Sequence, residues 1–159
     1  MAAVDVLMPA YNAAATVREA VESLLTQTLR DIRVIVVDDG STDQTPEILA
    51  ELAVRDTRVK VATKANGGIV EARNDALRHA EADFIACLDS DDIAFPDRLE
   101  RTLAYLNAHP ECVAVGGAVE HVDAQGHTLV GLPQPGDPAD ADAAAAPARE
   151  PYMIHSTLM

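Results

Sequence analysis

The chain has 159 residues, enough for one hydrophobic core and too few for two comfortable ones. Hydrophobic residues make up 48% of it, which excludes wholesale disorder, while a formal net charge of -14 argues against nucleic acid and anionic lipid as partners. A polyanionic ligand would need a cation to sit beside so acidic a protein.

In chain order, Val4 to Met8 predicts a strand that Pro9-Ala10-Tyr11-Asn12 breaks. Val17, Ala20, Val21, Leu24 and Leu25 then recur at helical spacing, with Arg18, Glu19 and Glu22 on the opposite side. Ile32 to Val37 is a β-branched run that predicts a second strand, stopped by the turn Asp38-Asp39-Gly40-Ser41. Thr45-Pro46-Glu47 reads as an N-cap, a proline at the first helical position and an acid in the first turn, with Ile48, Leu49 and Leu52 as the buried face. Val59 to Ala62 predicts a third strand, and Lys64 to Gly68 a turn into a helix through Ile69, Ala72, Ala76 and Leu77.

Phe84 to Leu88 predicts a fourth strand, buried on both faces, and it ends in Asp89-Ser90-Asp91-Asp92. Carboxylates crowded at a strand end repel one another unless they are protonated, paired with bases or arranged around a hard cation. Arg98 and Arg101 lie further along on the next helix, so a divalent ion is the favoured partner; the plainer role is an acidic loop in which Asp91 or Asp92 caps that helix. The helix itself starts near Phe95-Pro96-Asp97, buries Leu99, Leu103 and Leu106, and stops at His109-Pro110.

Cys112 to Val122 predicts a further strand with a bulge or close approach at Gly116-Gly117, and Val122 to Gly126 a hairpin turn into Thr128 to Leu132. Pro133 to Pro151 is rich in Pro, Ala, Asp and Gly and reads as a mobile loop, with Asp140 to Ala146 able to form a short helix. Cys87 and Cys112 read as free core thiols in a reducing compartment. No leader and no membrane span of roughly 18 to 20 apolar residues is evident, which predicts a cytoplasmic chain, with peripheral attachment at the inner face of a membrane still compatible.

Strands alternating with helices predict an α/β fold with a mostly parallel sheet and a ligand crevice beyond the carboxyl ends of the strands. Met8 to Thr16 lacks the glycines of a dinucleotide-binding turn, and P-loop, zinc and Gly-x-Ser-x-Gly patterns are missing. What remains is Asp38-Asp39 at the second strand end, Asp89-Ser90-Asp91-Asp92 at the fourth, and Arg73-Asn74 on the helix between. Carboxylates accept hydrogen bonds from base edges and ribose hydroxyls, and a metal with an arginine neutralises a diphosphate. That combination describes a site for a nucleoside diphosphate.

Met8-Pro9-Ala10-Tyr11-Asn12, Val36-Val37-Asp38-Asp39-Gly40-Ser41-Thr42-Asp43, Asn66-Gly67-Gly68 with Ala72-Arg73-Asn74, and Leu88-Asp89-Ser90-Asp91-Asp92 with Pro96-Asp97-Arg98-Leu99 resemble, in order and spacing, the successive motifs of family 2 glycosyltransferases. The resemblance implies a GT-A fold over a single domain, incomplete at its C-terminus, that binds a nucleotide sugar, often a UDP-sugar. It further implies transfer with inversion to a carbohydrate or lipid acceptor that the sequence does not identify, with Mg2+ or Mn2+ as cofactor. By position, Pro9, Ala10 and Tyr11 would line the base pocket, with Tyr11 stacking on the base. Asp38 and Asp39 would hold base and ribose, Arg73 would face the diphosphate, and Asp89 and Asp91 would form the Asp-x-Asp metal motif beside Asp92. The family's general base is a carboxylate past the region matching His155 to Met159, so the resemblance places the catalytic base beyond Met159; an auxiliary role for His155 is the lesser alternative. A homodimer is compatible with the sequence. Two rival readings stand: a nucleotide-sugar-binding fragment without catalysis, and a phosphohydrolase with Asp89 as nucleophile.

Overall fold

The structure is a computed structural model that describes residues 2–117, 119–123, 126–129 and 159. β1 (Val4–Ala10), β2 (Ile32–Asp38), β3 (Val59–Thr63) and β4 (Phe84–Cys87) form one parallel sheet in the order β3-β2-β1-β4. The helices α1 (Val17–Leu25), α2 (Thr45–Arg55), α3 (Ile69–Arg78) and α4 (Arg98–Ala108) connect or follow the strands. This is the mixed α/β arrangement expected of the sequence pattern.

The period of two along each strand decides the layers. Val4, Val6 and Met8 of β1 and Ile32, Val34 and Val36 of β2 pack with Val17, Val21, Leu24, Leu49, Leu52, Leu99 and Leu106 into the larger core. Leu7, Ile35 and Val37 point to the other face, where α3 covers them with Ala72 and Ala76. Successive connections move from β1 to β3 in one direction, and the next one carries the chain back across β1 to β4. With right-handed crossovers, that reversal puts α3 on the opposite face.

Several boundaries differ from expectation. Pro9 does not end β1, which pairs with β2 as far as Ala10↔Asp38, whereas its pairing with β4 stops at Leu7↔Cys87. Beyond Leu7 the strand is an edge, where a residue without an N–H is tolerated. β4 itself is one of the sheet's two outer strands among the described residues, so Phe84, Ile85 and Cys87 are only half-buried rather than enclosed on both faces. Thr45 lies inside α2 instead of capping it; the Asp43 carboxylate takes the cap's work, accepting hydrogen bonds from the Thr45 N–H at 2.9 Å and its hydroxyl at 2.6 Å. Ile69 and Leu77 of α3 are exposed, leaving its two alanines as the buried contact. α4 begins after Asp97 with no side-chain cap, so neither Asp91 nor Asp92 performs that role.

The strand expected over Cys112 to Val122 is not formed among the described residues. Val113 is 98% exposed, and Val115 exchanges two backbone hydrogen bonds of 3.0 Å with the buried Met159. The predicted hairpin survives as an antiparallel bridge between Val122 and Thr128. Cys112 is half-buried and, like Cys87, unpaired in any disulfide. Pro133 to Pro151, Asp140 to Ala146 and His155 lie outside the described residues. Among the described residues no helix is long and apolar enough to cross a membrane.

Candidate functional site

The direction of winding reverses between β1 and β4, and at such a point the chain leaves neighbouring strand ends in opposite senses and opens a crevice. A cavity of about 740 Å3 lies there. Of the residues singled out from sequence, Pro9, Ala10, Tyr11, Asp39, Asp89 and Asp91 line it; Asn12, Asn66, Gly68, Ile69, Ala72 and Ser90 line it as well. Asp38 and Arg73 are not among its lining residues. Tyr11 is half exposed on the open side, with its ring available to a flat ligand.

Asp38 is fully buried at the end of β2; its Oδ1 accepts the Ser41 N–H at 3.0 Å and closes the turn, and its Oδ2 is buried without a hydrogen bond. Asp39, also buried, faces the other way and binds the turn before α3. Its Oδ1 accepts from the Gly67 N–H at 3.0 Å and Lys64 Nζ at 3.1 Å, and its Oδ2 from the Gly68 N–H at 2.7 Å. Burial pushes the Asp39 carboxyl upward, but the hydrogen bonds from Gly67, Lys64 and Gly68 outweigh it and hold the group below the usual carboxylate range. Gly68 precedes α3 with φ of 91°, a left-handed backbone that suits glycine and turns both N–H groups onto Asp39. Lys64 has a second partner in Glu71, at 3.2 Å.

Arg73 reaches across to the end of β4, where its terminal nitrogen donates to Asp89 Oδ1 at 2.8 Å; its Nε is buried without a partner. The arginine therefore orients the first carboxylate of the Asp-x-Asp pair. Arg98 donates to the Cys87 carbonyl at 2.9 Å from below the same strand end, and burial pushes its guanidinium pKa down. Burial likewise pushes the Cys87 thiol up, leaving it a poor nucleophile. Asp91 is exposed on the cavity wall.

Among the described residues no three His, Cys, Asp or Glu side chains converge as a metal cage. The carboxylates of Asp89 and Asp91 are nonetheless hard oxygen donors two residues apart on one wall. An ion such as Mg2+ is commonly held by one or two carboxylates and completes its shell with phosphate oxygens and water, so this donor set fits an ion shared with a diphosphate.

A set of small polar residues that the sequence motifs contain, but to which they gave no individual role, builds the Tyr11 side of the crevice. Asn12 sits at φ of 49°, and its N–H donates to Ser41 Oγ at 2.9 Å while its Oδ1 accepts the Thr42 N–H at 2.8 Å. The Ala13 N–H donates to Thr45 Oγ1 at 2.8 Å and the Ala14 N–H to Asp43 Oδ2 at 3.1 Å. The loop after β1 is thus laced to the loop after β2. A signal existed in the Gly40-Ser41-Thr42-Asp43 run, whose side chains are those that bond neighbouring backbone.

Residues 5–135 match the sequence profile of the family described as Glycosyl transferase family 2. A chondroitin synthase of Pasteurella multocida is 42% identical over 100 residues, which cover 63% of this chain and 10% of that protein. Among solved structures, Staphylococcus aureus TarS (residues 1–349) in complex with UDP-GlcNAc superposes with a TM-score of 0.72 at 32% identity, over 85% of this chain and 38% of that one. The mannosyltransferase PcManGT of Pyrobaculum calidifontis, in complex with GDP-Man and Mn2+, superposes with a TM-score of 0.68 at 29% identity, over 75% of this chain and 36% of that one. The chain therefore spans a tenth of the length of that synthase and a little over a third of the two solved proteins. With the fold, the motifs and the profile in agreement, the chain belongs to glycosyl transferase family 2, on a GT-A-type α/β sheet.

Proposed function

We propose that this chain forms the donor-binding part of a metal-dependent, inverting glycosyltransferase that takes its sugar from a uridine diphosphate sugar and passes it to an acceptor hydroxyl. The observation that carries the reading is one cavity whose wall combines an exposed aromatic ring, Tyr11, with Asp39 on one side and Asp89 and Asp91 on the other. The uridine assignment draws on the solved relative that holds UDP-GlcNAc, and the cation on the one that holds Mn2+.

In this reading the base lies against Tyr11 on the loop fixed by Asn12, and Asp39 accepts from the edge of the base or ribose. Pro9 and Ala10 form the floor, and Asp38 supports it from within by holding the turn at Ser41. Asp89, oriented by Arg73, and Asp91 hold the cation against the diphosphate. That cation, Mg2+ or Mn2+, supplies Lewis-acid stabilisation of the departing diphosphate. Arg73, from behind Asp89, adds positive charge near the same leaving group. The acceptor proton needs a base, and because Asp39, Asp89 and Asp91 are committed to the donor, we place the base outside this set.

Protection against thermal unfolding by UDP, UMP and GDP at fixed Mn2+ tests donor binding, since a ligand at about 100 times its Kd stabilises by roughly 2.7 kcal/mol. UDP is expected to protect most and UMP least, because UMP lacks the second phosphate. Equal protection by all three, or by none, contradicts the reading. With a UDP-sugar and Mn2+, UDP release that rises with added acceptor identifies a transferase, while acceptor-independent release of free sugar identifies a hydrolase.

A further inference from the structure

We propose that Ser23, in the last turn of α1, and Gln27, just after it, are positioning residues for Asp91; this rests on the reading that Asp91 holds a cation against the donor diphosphate. Asp91 stands in the middle of a loop, Asp89 to Ile93, between two buried anchors, Leu88 at 3% and Ala94 at 5% exposure. The first anchor continues the sheet, with the Leu88 N–H donating to the Leu7 carbonyl at 3.2 Å, and Arg73 adds its bond to Asp89. Among the described residues, no hydrogen bond or ion pair engages the carboxylate of Asp91 itself. Within the loop the Asp92 N–H donates to the Asp89 carbonyl at 3.2 Å, so the placement of Asp91 rests on that turn and on the two ends of the loop.

The second anchor is made by α1. Ser23 Oγ accepts the Ala94 N–H at 3.0 Å. Gln27, with no exposed surface, donates from Nε2 to the Phe95 carbonyl at 2.7 Å and to the Ser23 carbonyl at 3.2 Å, and its Oε1 accepts the Leu99 N–H at 3.1 Å. The Thr28 N–H adds a bond to the Pro96 carbonyl at 2.8 Å. A buried carboxamide is costly unless every group on it is satisfied, and an apolar side chain could fill the same space without that cost. Here two of its three bonds go to the single segment that follows the acidic loop, across a sequence separation of about seventy residues. The fold thus ties the end of α1, whose Ser23 and the following Gln27 do not line the cavity, to the loop that presents Asp91.

The test compares the wild-type chain with Ser23→Ala, Ser23→Thr and Gln27→Glu, measuring UDP affinity with and without Mn2+ alongside denaturant stability. Gln27→Glu keeps an acceptor for Leu99 but sets a second acceptor against the Phe95 carbonyl. Ser23→Ala and Gln27→Glu should weaken UDP binding in Mn2+ by about 5- to 10-fold and leave metal-free binding within about 2-fold, while Ser23→Thr restores the wild-type value. A purely structural role moves stability but not the ratio of the two affinities. An unchanged Mn2+ dependence in the Ser23→Ala chain would overturn the proposal. An Asp91→Asn control separates the two levels: if it abolishes the Mn2+ dependence while Ser23→Ala keeps it, the clamp alone fails. If the wild type shows no Mn2+ dependence, the underlying site reading fails and the clamp with it.

Discussion

A carboxylate as enclosed as Asp39 stays ionised only because three donors converge on it, from Lys64 and the Gly67 and Gly68 amides. The folded pKa lies below the unfolded one, so its contribution to stability is complete above the unfolded value, about 3.9, and is lost as pH falls through the lower folded value. Asp39→Asn is accordingly expected to be less stable near pH 7 and to lose less than the wild type on acidification to about pH 3. Urea denaturation at both pH values checks this, and parallel losses in the two chains would contradict it. Gly40 supplies a second residue-scale prediction. Its φ is 74°, and a Cβ there would stand 2.8 Å from the Asn66 nitrogen and 3.1 Å from the Lys64 carbonyl. Gly40→Ala therefore adds roughly 1–2 kcal/mol of left-handed strain and pushes on the turn that lines the cavity. Both denaturant stability and UDP affinity should fall; a fall in neither would show that the turn yields freely.

At the scale of elements, the sheet is pinned at its amino end by Asp5, fully buried on β1. It takes a two-pronged pair from Arg33 of β2, at 2.9 and 2.7 Å, and the N–H groups of Glu81 and Ala82 before β4, at 2.7 and 2.9 Å. Asp5→Ala leaves Arg33 and two amides without this partner and should cost about 3–5 kcal/mol. Because this cluster sits at the strand ends opposite the cavity, UDP affinity at temperatures where the variant is folded should stay near the wild-type value. A matching loss of affinity would argue against the separation of the two ends. The strands and helices up to Ala108 were legible from apolar runs and periodicity, although α3 buries only the two alanines of its expected face and β4 is less enclosed than its composition suggested. What was not legible were features that depend on neighbours: Pro9 inside a strand end left open by β4, Asp43 taking the cap from Thr45, and the Cys112 segment, β-like in composition but not a strand among the described residues. The Ser23 and Gln27 bonds escaped for the same reason, because residues at the end of a helix give no local sign of a loop about seventy residues away.

For the whole molecule, position in the sheet explains why the motifs are scattered along the sequence yet meet. The ends of β1, β2 and β4 and the start of α3 all open to the side where the winding reverses, so Tyr11, Asp39, Gly68 and Asp89 share a wall. Asp89 and Asp91 could be recognised from sequence as an acidic pair, whereas the pairing of Arg73 with Asp89 required the fold. The chain's net charge of -14 makes a free diphosphate an unwelcome guest, which gives a cation its physical reason. The most direct measurement is calorimetric titration of UDP into the chain with and without Mn2+, for the wild type and Asp91→Asn. Mn2+ is expected to tighten wild-type binding by at least about 10-fold, and Asp91→Asn to remove that gain. Wild-type UDP binding no tighter with Mn2+ than without it, or the same Mn2+ gain in Asp91→Asn, would contradict that expectation.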